Sequence, residues 1–246
     1  MALQEVTART LPLWRTALRE MGYSGSETAL EAARRAERRR PLGVLTAARA
    51  PLRRLPSPPD LPWPERLLCC QVEDVEVVNL HSPIAPAPDL AKIRTHEAVA
   101  AYLGARPAGR RVLCGDLNTP RRELPDGDVM TFAFDSAGRL RPERGERWDR
   151  AERGLIHGLR AEHGWVDAFR SLNGYGNRDA SWTFPHDRGG WRLDHVLAQG
   201  LEPLSAAYAH EWRRDGQEGS HEMHVTVPLG NLCTGLSLGR ANPPCG

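Results

Sequence analysis

The chain has 246 residues, enough for one large domain or two small ones, and no Ser/Gly-rich linker or shift in composition divides it. Its formal net charge is only +2, so the field of the whole molecule does not announce a polyanionic partner. No hydrophobic run reaches membrane-spanning length, and the start, MALQEVTART, lacks both the basic and the apolar region of a secretory signal. The five cysteines show neither CxxC nor zinc-ligand spacing, which reads as reduced thiols in a cytoplasmic protein. Arginine is frequent and Lys92 is the one lysine, a bias that suits a GC-rich coding sequence as well as any function. The run RRAERRR, Arg34 to Arg40, reads as a solvated helix face.

In chain order, Leu11 to Met21 has helical period, with Leu11, Trp14, Leu18 and Met21 on one face. Thr28 to Arg39 also reads as helix, Pro41 ends it, and Leu42 to Ala47 reads as strand. A Pro-rich loop from Pro51 to Pro64 precedes two strands, Arg66 to Val72 and Val75 to Leu80, paired around Glu73-Asp74. Leu90 to Leu103 is a predicted helix with Ile93, Val99 and Leu103 facing the core, and Val112 to Cys114 a short buried strand. Pro120 to Arg153 is long, polar and irregular in pattern. Leu155 to His163 reads as helix, and Trp165 to Phe169 leads into a Gly/Asn-rich loop. Trp191 to Ala198, Leu204 to Trp212 and Val225 to Leu229 read as strands, and 230 to 246 as an irregular tail after a domain spanning 1 to 229. Many strands with few interspersed helices predict an α/β (α+β) fold: a two-sheet β-sandwich flanked by helices.

Several strand ends carry the same kind of residue. Glu5 follows a short apolar start, His81 ends VEVVNLH, and Asp116 and Asn118 close VLCGDLN. Asp194 lies in WRLDHVLA, and His221, Glu222 and His224 crowd GSHEMHVTVPL. Carboxylates, an amide and histidines suit magnesium-dependent phosphoryl transfer, because hard oxygens bind the divalent ion and an Asp–His pair supplies a base.

LQE (Leu3–Glu5), NLH (Asn79–His81), GDLN (Gly115–Asn118), RLDH (Arg192–His195) and the terminal S-H-x-x-H occur in order over nearly the whole chain. Together with the weaker GVLTAARAPL, they resemble the motifs of the endonuclease/exonuclease/phosphatase superfamily, the deoxyribonuclease I-like metal-dependent phosphodiesterases. The resemblance implies a deoxyribonuclease I-like sandwich with the site at one end of both sheets. It implies that Glu5 binds catalytic Mg2+ or Mn2+, that Asp116 activates or positions the attacking water, and that Asn118 holds that water and a phosphate oxygen. It further implies that His81 hydrogen-bonds the phosphate and that Asp194 orients a C-terminal histidine. Strand phase favours His224 for that histidine and motif spelling favours His221.

Two departures stand out. The family's first strand, which ends in an Asn metal ligand, and the helix after it have no counterpart ahead of LQE, so a sheet edge beside the site is expected to be open. No Asp precedes either terminal histidine, and a shift of reading frame near Gly216 would account for that and for the tail. The expected function is metal-dependent hydrolysis by a cytoplasmic monomer with no membrane partner. The substrate is open between nucleic acid, DNA or RNA, and a small phosphodiester or phosphomonoester, and the low net charge gives nucleic acid no special support. Zinc is not expected to be needed. The alternative is a non-catalytic or fold-defective remnant of the same family; a lipid phosphodiesterase finds no support in any exposed apolar anchor.

Overall fold

The computed structural model describes residues 1–35, 41–184, 189–210, 222–229 and 232–240, with residues 34–35 and the last two strands described by their backbone alone. The chain opens with β1 (Ala2–Val6), α1 (Leu11–Glu20), β2 (Gly25–Thr28), α2 (Leu30–Arg35) and β3 (Gly43–Ala48). β4 (Leu52–Arg54), β5 (Leu67–Val72), β6 (Val75–Leu80), α3 (Ala91–Gly104) and β7 (Arg111–Asp116) follow. A small hairpin, β8 (Arg122–Glu123) and β9 (Val129–Met130), leads to α4 (Gly145–Arg153), a π-turn at Gly154–Gly158 and α5 (Leu159–His163). β10 (Val166–Asp167), α6 (Ala168–Asn173), β11 (Trp182–Thr183), β12 (Gly190–Trp191) and β13 (Asp194–Gln199) come next. The last described elements are β14 (Ser205–Tyr208), β15 (Glu222–Leu229) and β16 (Leu232–Arg240).

Two six-stranded sheets result, ordered β14-β15-β16-β1-β3-β2 and β10-β13-β7-β6-β5-β4. Period-two alternation explains their packing. In β6, Val75 and Val77 face the layer between the sheets, while Val78 and Leu80 face α3 and the π-turn. A strand covered on both faces has no solvent side to keep polar, so VEVV reads as a nearly continuous apolar run. Leu3, Leu45 and Ala47 of the first sheet pack outward on Leu18 of α1, with Leu11 and Trp14 at the edge of that cluster. Met21, expected on the same face, is 51% exposed because α1 has ended before it.

One polar group crosses the apolar interlayer. The buried Asn79 of β6 donates from Nδ2 to the carbonyls of Leu45 (3.0 Å) and Leu3 (3.3 Å), and its Oδ1 accepts from Gln4 Nε2 at 2.8 Å. Removing that amide would orphan buried groups at about 1–3 kcal/mol. It ties together the strands whose ends carry Glu5 and His81.

Several expectations change. Thr28 to Arg39 is not one helix: Thr28 ends β2, pairing with Leu45, and α2 is short, while 36–40 lie outside the described residues. Pro120 to Arg153 is not wholly irregular, since α4 forms its second part, burying Trp148, Ala151 and Glu152 on one face. Trp191 to Ala198 is interrupted at Arg192-Leu193, where Ser181 Oγ takes the backbone N–H groups of Leu193 and Asp194 at 2.8 and 3.0 Å. The tail is not irregular throughout. Leu232, Leu236 and Leu238 alternate with small residues, and this stretch forms β16, antiparallel to β15 and parallel to β1. The edge of β1 is therefore paired rather than open.

Candidate active site

Glu5 lies where the β1–β3 register shifts between Leu3 and Val6, and its φ is 60°. Such an irregularity turns a side chain out of the alternation. Asn118 has a φ of 51°. Left-handed backbone costs a side-chain-bearing residue about 1–3 kcal/mol and tends to mark functional sites. Here it occurs at two of the residues singled out by the motifs.

Gly115 explains the glycine that opens the G-D-L-N turn. Its φ is +128°, and a Cβ there would meet the Leu80 carbonyl oxygen at 2.1 Å. Only glycine lets β7 pass that close to β6. The approach brings Asp116 beside His81, and the Ser82 N–H donates to the Asp116 carbonyl at 2.8 Å.

Around the buried His81, Nε2 stands 3.9 Å from Glu5 Oε1 and 4.0 Å from Asp116 Oδ2. Glu5 keeps a third of its side chain exposed, whereas Asp116 is buried. Asp116 Oδ1 accepts the Asn118 N–H at 2.9 Å, which aims the carboxylate. Asn118 Nδ2 donates one of its two protons to the Ser82 carbonyl at 2.8 Å. Asp194 is buried directly opposite Asp116 in the β7–β13 register, and its carbonyl accepts from Tyr208 OH at 2.7 Å. His224 sits in β15 opposite Ala207 and Ser237, and His221 lies outside the described residues. Glu5, His81, Asp116 and Asn118 are thus gathered at one end of both sheets. Among the described residues no group of three or more His, Cys, Asp or Glu side chains is placed to hold a metal ion.

Beside Asn118 opens a cavity of about 340 Å³, walled by Phe132, Trp191 and Leu193 and rimmed by Arg121, Arg141 and Arg144. Trp191 is stacked on Trp182 with centroids 4.9 Å apart and meets Phe132 edge-on at 5.1 Å. Cys69, Cys70 and Cys114 are free and buried, their thiols pushed up to about 12 chiefly by burial, so none of them is a nucleophile at neutral pH.

The sequence pattern of the endonuclease/exonuclease/phosphatase family matches residues 1–215. The chain belongs to that family. Membership makes it a phosphoesterase-type hydrolase. Its fold is deoxyribonuclease I-like. The structure resembles an AP endonuclease from Archaeoglobus fulgidus with a TM-score of 0.63 at 18% identity, covering 94% of this chain and 88% of that one. It resembles a 3′ phosphatase, NExo, from Neisseria, bound to a product DNA hairpin, with a TM-score of 0.60 at 19% identity over 93% and 88%. The 3′-5′ exonuclease NExo from Neisseria meningitidis matches at 0.60 and 20% identity over the same shares. A comparison with curated protein sequences gave no match. Among the described residues no helix is long and apolar enough to cross a membrane.

For this family member, reasoning from motifs missed the groups that hold the turn. His96 Nε2 lies 2.8 Å from Ser82 Oγ and 3.2 Å from the Leu117 carbonyl, and burial keeps its pKa well below the ordinary value. On one flank Lys92 Nζ donates to the Asn118 carbonyl at 2.7 Å. On the other, His195 Nε2 donates to the Thr119 carbonyl at 2.8 Å. His195 sat in the RLDH motif, but only its neighbour Asp194 was singled out. Lys92 had one signal: it is the sole lysine in an arginine-rich chain.

Proposed function

We propose that the chain is a Mg2+- or Mn2+-dependent phosphodiesterase, and that Glu5, His81, Asp116 and Asn118 are its working residues. The observation that carries the reading is their convergence at one end of both sheets, with His81 Nε2 about equally far from two carboxylates. The donor set suits a hard cation, because magnesium is commonly held by one or two carboxylates and keeps several waters. Glu5, partly exposed, is the side chain that would hold it; when bound, the ion neutralises phosphate charge. Asp116 takes a proton from the attacking water, His81 hydrogen-bonds a phosphate oxygen, and the second Nδ2 proton of Asn118 does the same. Asp194 orients a histidine from the C-terminal segment, His224 or His221.

The cavity beside Asn118 favours a substrate with a ring next to the phosphate. An aromatic wall of Phe132 and Trp191, offering ring faces and edges, and an arginine rim suit a nucleotide unit of a nucleic acid strand better than a small aliphatic ester. Two of the similar structures, described as an AP endonuclease and as a 3′ phosphatase with a DNA hairpin, are consistent with that substrate class.

The test is hydrolysis of bis(p-nitrophenyl) phosphate and of a labelled oligonucleotide, with magnesium, with manganese and after exhaustive chelation. Turnover is expected with either metal and is expected to vanish on chelation. Asp116→Asn should lower kcat by at least about a hundredfold, the low end for losing a positioned base, without loss of fold. Activity that survives chelation, or an unchanged rate in the variant, would overturn the assignment. Complete inactivity of the well-folded wild type would favour the remnant reading instead.

A further inference from the structure

The turn that carries Asp116 and Asn118 rests on a buried ion pair reaching it from α3 and α4. Lys92 and Glu152 are 1% and 0% exposed at the side chain and are directly bonded, Nζ to Oε1. The ammonium also donates to the Asn118 carbonyl at 2.7 Å, and lies 4.9 Å from the Phe132 ring centroid and 5.8 Å from that of Trp148. The carboxylate uses both oxygens. Oε1 accepts from Trp148 Nε1 at 2.7 Å, and Oε2 accepts from Thr119 Oγ1 and from the Phe132 N–H, each at 2.8 Å.

Two features separate this pair from ordinary core stitching. It grips consecutive residues of the turn, Asn118 by the cation and Thr119 by the anion. And its cation is the only lysine in a chain that otherwise uses arginine. A planar five-donor guanidinium does not replace a compact ammonium held between one carboxylate oxygen and one carbonyl.

We propose that Lys92 is a positioning residue: paired with Glu152, it fixes the Asn118 carbonyl, and so the left-handed backbone that aims the Asn118 amide and the Asp116 carboxylate. The inference rests on the reading of Asp116 and Asn118 as the residues that handle water and phosphate. A displacement on the scale of 1 Å at such groups costs up to about a hundredfold in rate. The effect should fall on kcat, with little change in KM.

The experiment compares the wild type with Lys92→Met/Glu152→Gln, which removes both charges together and so avoids stranding one in the core. Thr119→Val is a second variant that loosens the grip without touching a charge. Hydrogen exchange over Val112–Glu123 reads the anchoring, and magnesium-supported hydrolysis of bis(p-nitrophenyl) phosphate reads its consequence. In the double variant, exchange over the turn should quicken and kcat should fall by about ten- to a hundredfold at near-constant KM. In Thr119→Val, exchange should also quicken and kcat should fall by about threefold or more. Unchanged exchange in both variants would overturn the proposal. So would faster exchange with kcat within twofold of wild type, or a change confined to KM. A wild type without hydrolytic activity, with exchange still quickened in the variants, would sink the hydrolase reading and leave the anchoring supported.

Discussion

The Asn118-Thr119 turn is held from two sides by buried charges, and the two sides are built differently. On the α3–α4 side stand one ammonium and one carboxylate, with neutral donors completing the set. On the β13 side stands a network. Arg192 holds Glu123 in a two-pronged contact (2.8 and 2.6 Å) and also donates to Asp167, while Arg170 adds a 2.6 Å bond to Glu123. His195, 3.4 Å from Asp167, reaches the turn itself. Burial pulls the Lys92 pKa down, with Glu152 only partly opposing it. Burial pulls on Arg192 too, but Asp167 and Glu123 more than restore it and leave its pKa well above the ordinary value. The network thus surrounds its cation with opposite charge, while the pair depends on a single partner. The count of opposite charges, not depth, therefore makes Arg192 the hub of its network, its charge more firmly held than that of Lys92.

The largest break should come from the network. Arg192→Met leaves Glu123 and Asp167 buried without their shared cation, a loss of about 3–5 kcal/mol for a broken buried pair. Urea denaturation of the variant should show the midpoint falling with an unchanged slope. A loss below about 1 kcal/mol would mean that Arg170 and His195 compensate, and that the contrast with the Lys92 side is overstated.

Acid should separate the two sides next. Burial alone would raise the Glu123 carboxyl, but the Arg192 charge and the hydrogen bonds from Arg192 and Arg170 override it and bring it from 4.5 down to about 2. Asp167 is likewise held well below its usual range: burial opposes, and Arg192 and His195 prevail. Between the two Glu123 values the unfolded chain binds more protons than the folded one, so stability rises with pH there. The network's contribution is complete above about pH 4.5 and is lost as pH falls through about 2. Melting temperature plotted against pH should drop steeply in that window, and Glu123→Gln should flatten the drop. Parallel curves for the two proteins would remove Glu123 as a source of acid sensitivity.

How much of this was legible in the sequence depends on spacing. His81 and Asp116 close apolar runs, so local pattern was enough to put them at strand ends, whereas Glu5 lies inside β1 and only its motif pointed to it. The interlayer and α3 were legible for the same reason: Ile93, Val99 and Leu103 are all buried. Lys92 and Glu152 are sixty residues apart, one on each helix, and neither belongs to a run. Glu152 did share a helix face with Trp148, four residues earlier, but the polar setting of Pro120 to Arg153 hid the helix. β16 was missed because its glycines mask the alternating leucines and because pairing with β1 is contributed by the far end of the chain.

The smallest predicted effect tests whether exposed charges help to hold α3 and α4 together beneath the turn. Arg147 of α4 and Glu97 of α3 make a two-pronged contact, both bonds at 2.8 Å, across the helices that carry Glu152 and Lys92. Hydrogen bonding from Arg147 lowers the Glu97 carboxyl below its usual range. Both side chains are nonetheless about half exposed, and water competes for them. Surface pairs of this kind add little, because ordering two long side chains offsets most of the attraction. Arg147→Ala should therefore lower the melting temperature by less than about 3 °C and leave kcat unchanged. In about 1 M salt, where screening acts over about 3 Å, even that difference should disappear. A larger shift that persists in high salt would show that α3 and α4 are clamped from outside as well as from within, and the Lys92–Glu152 pair would then share its anchoring role with the surface.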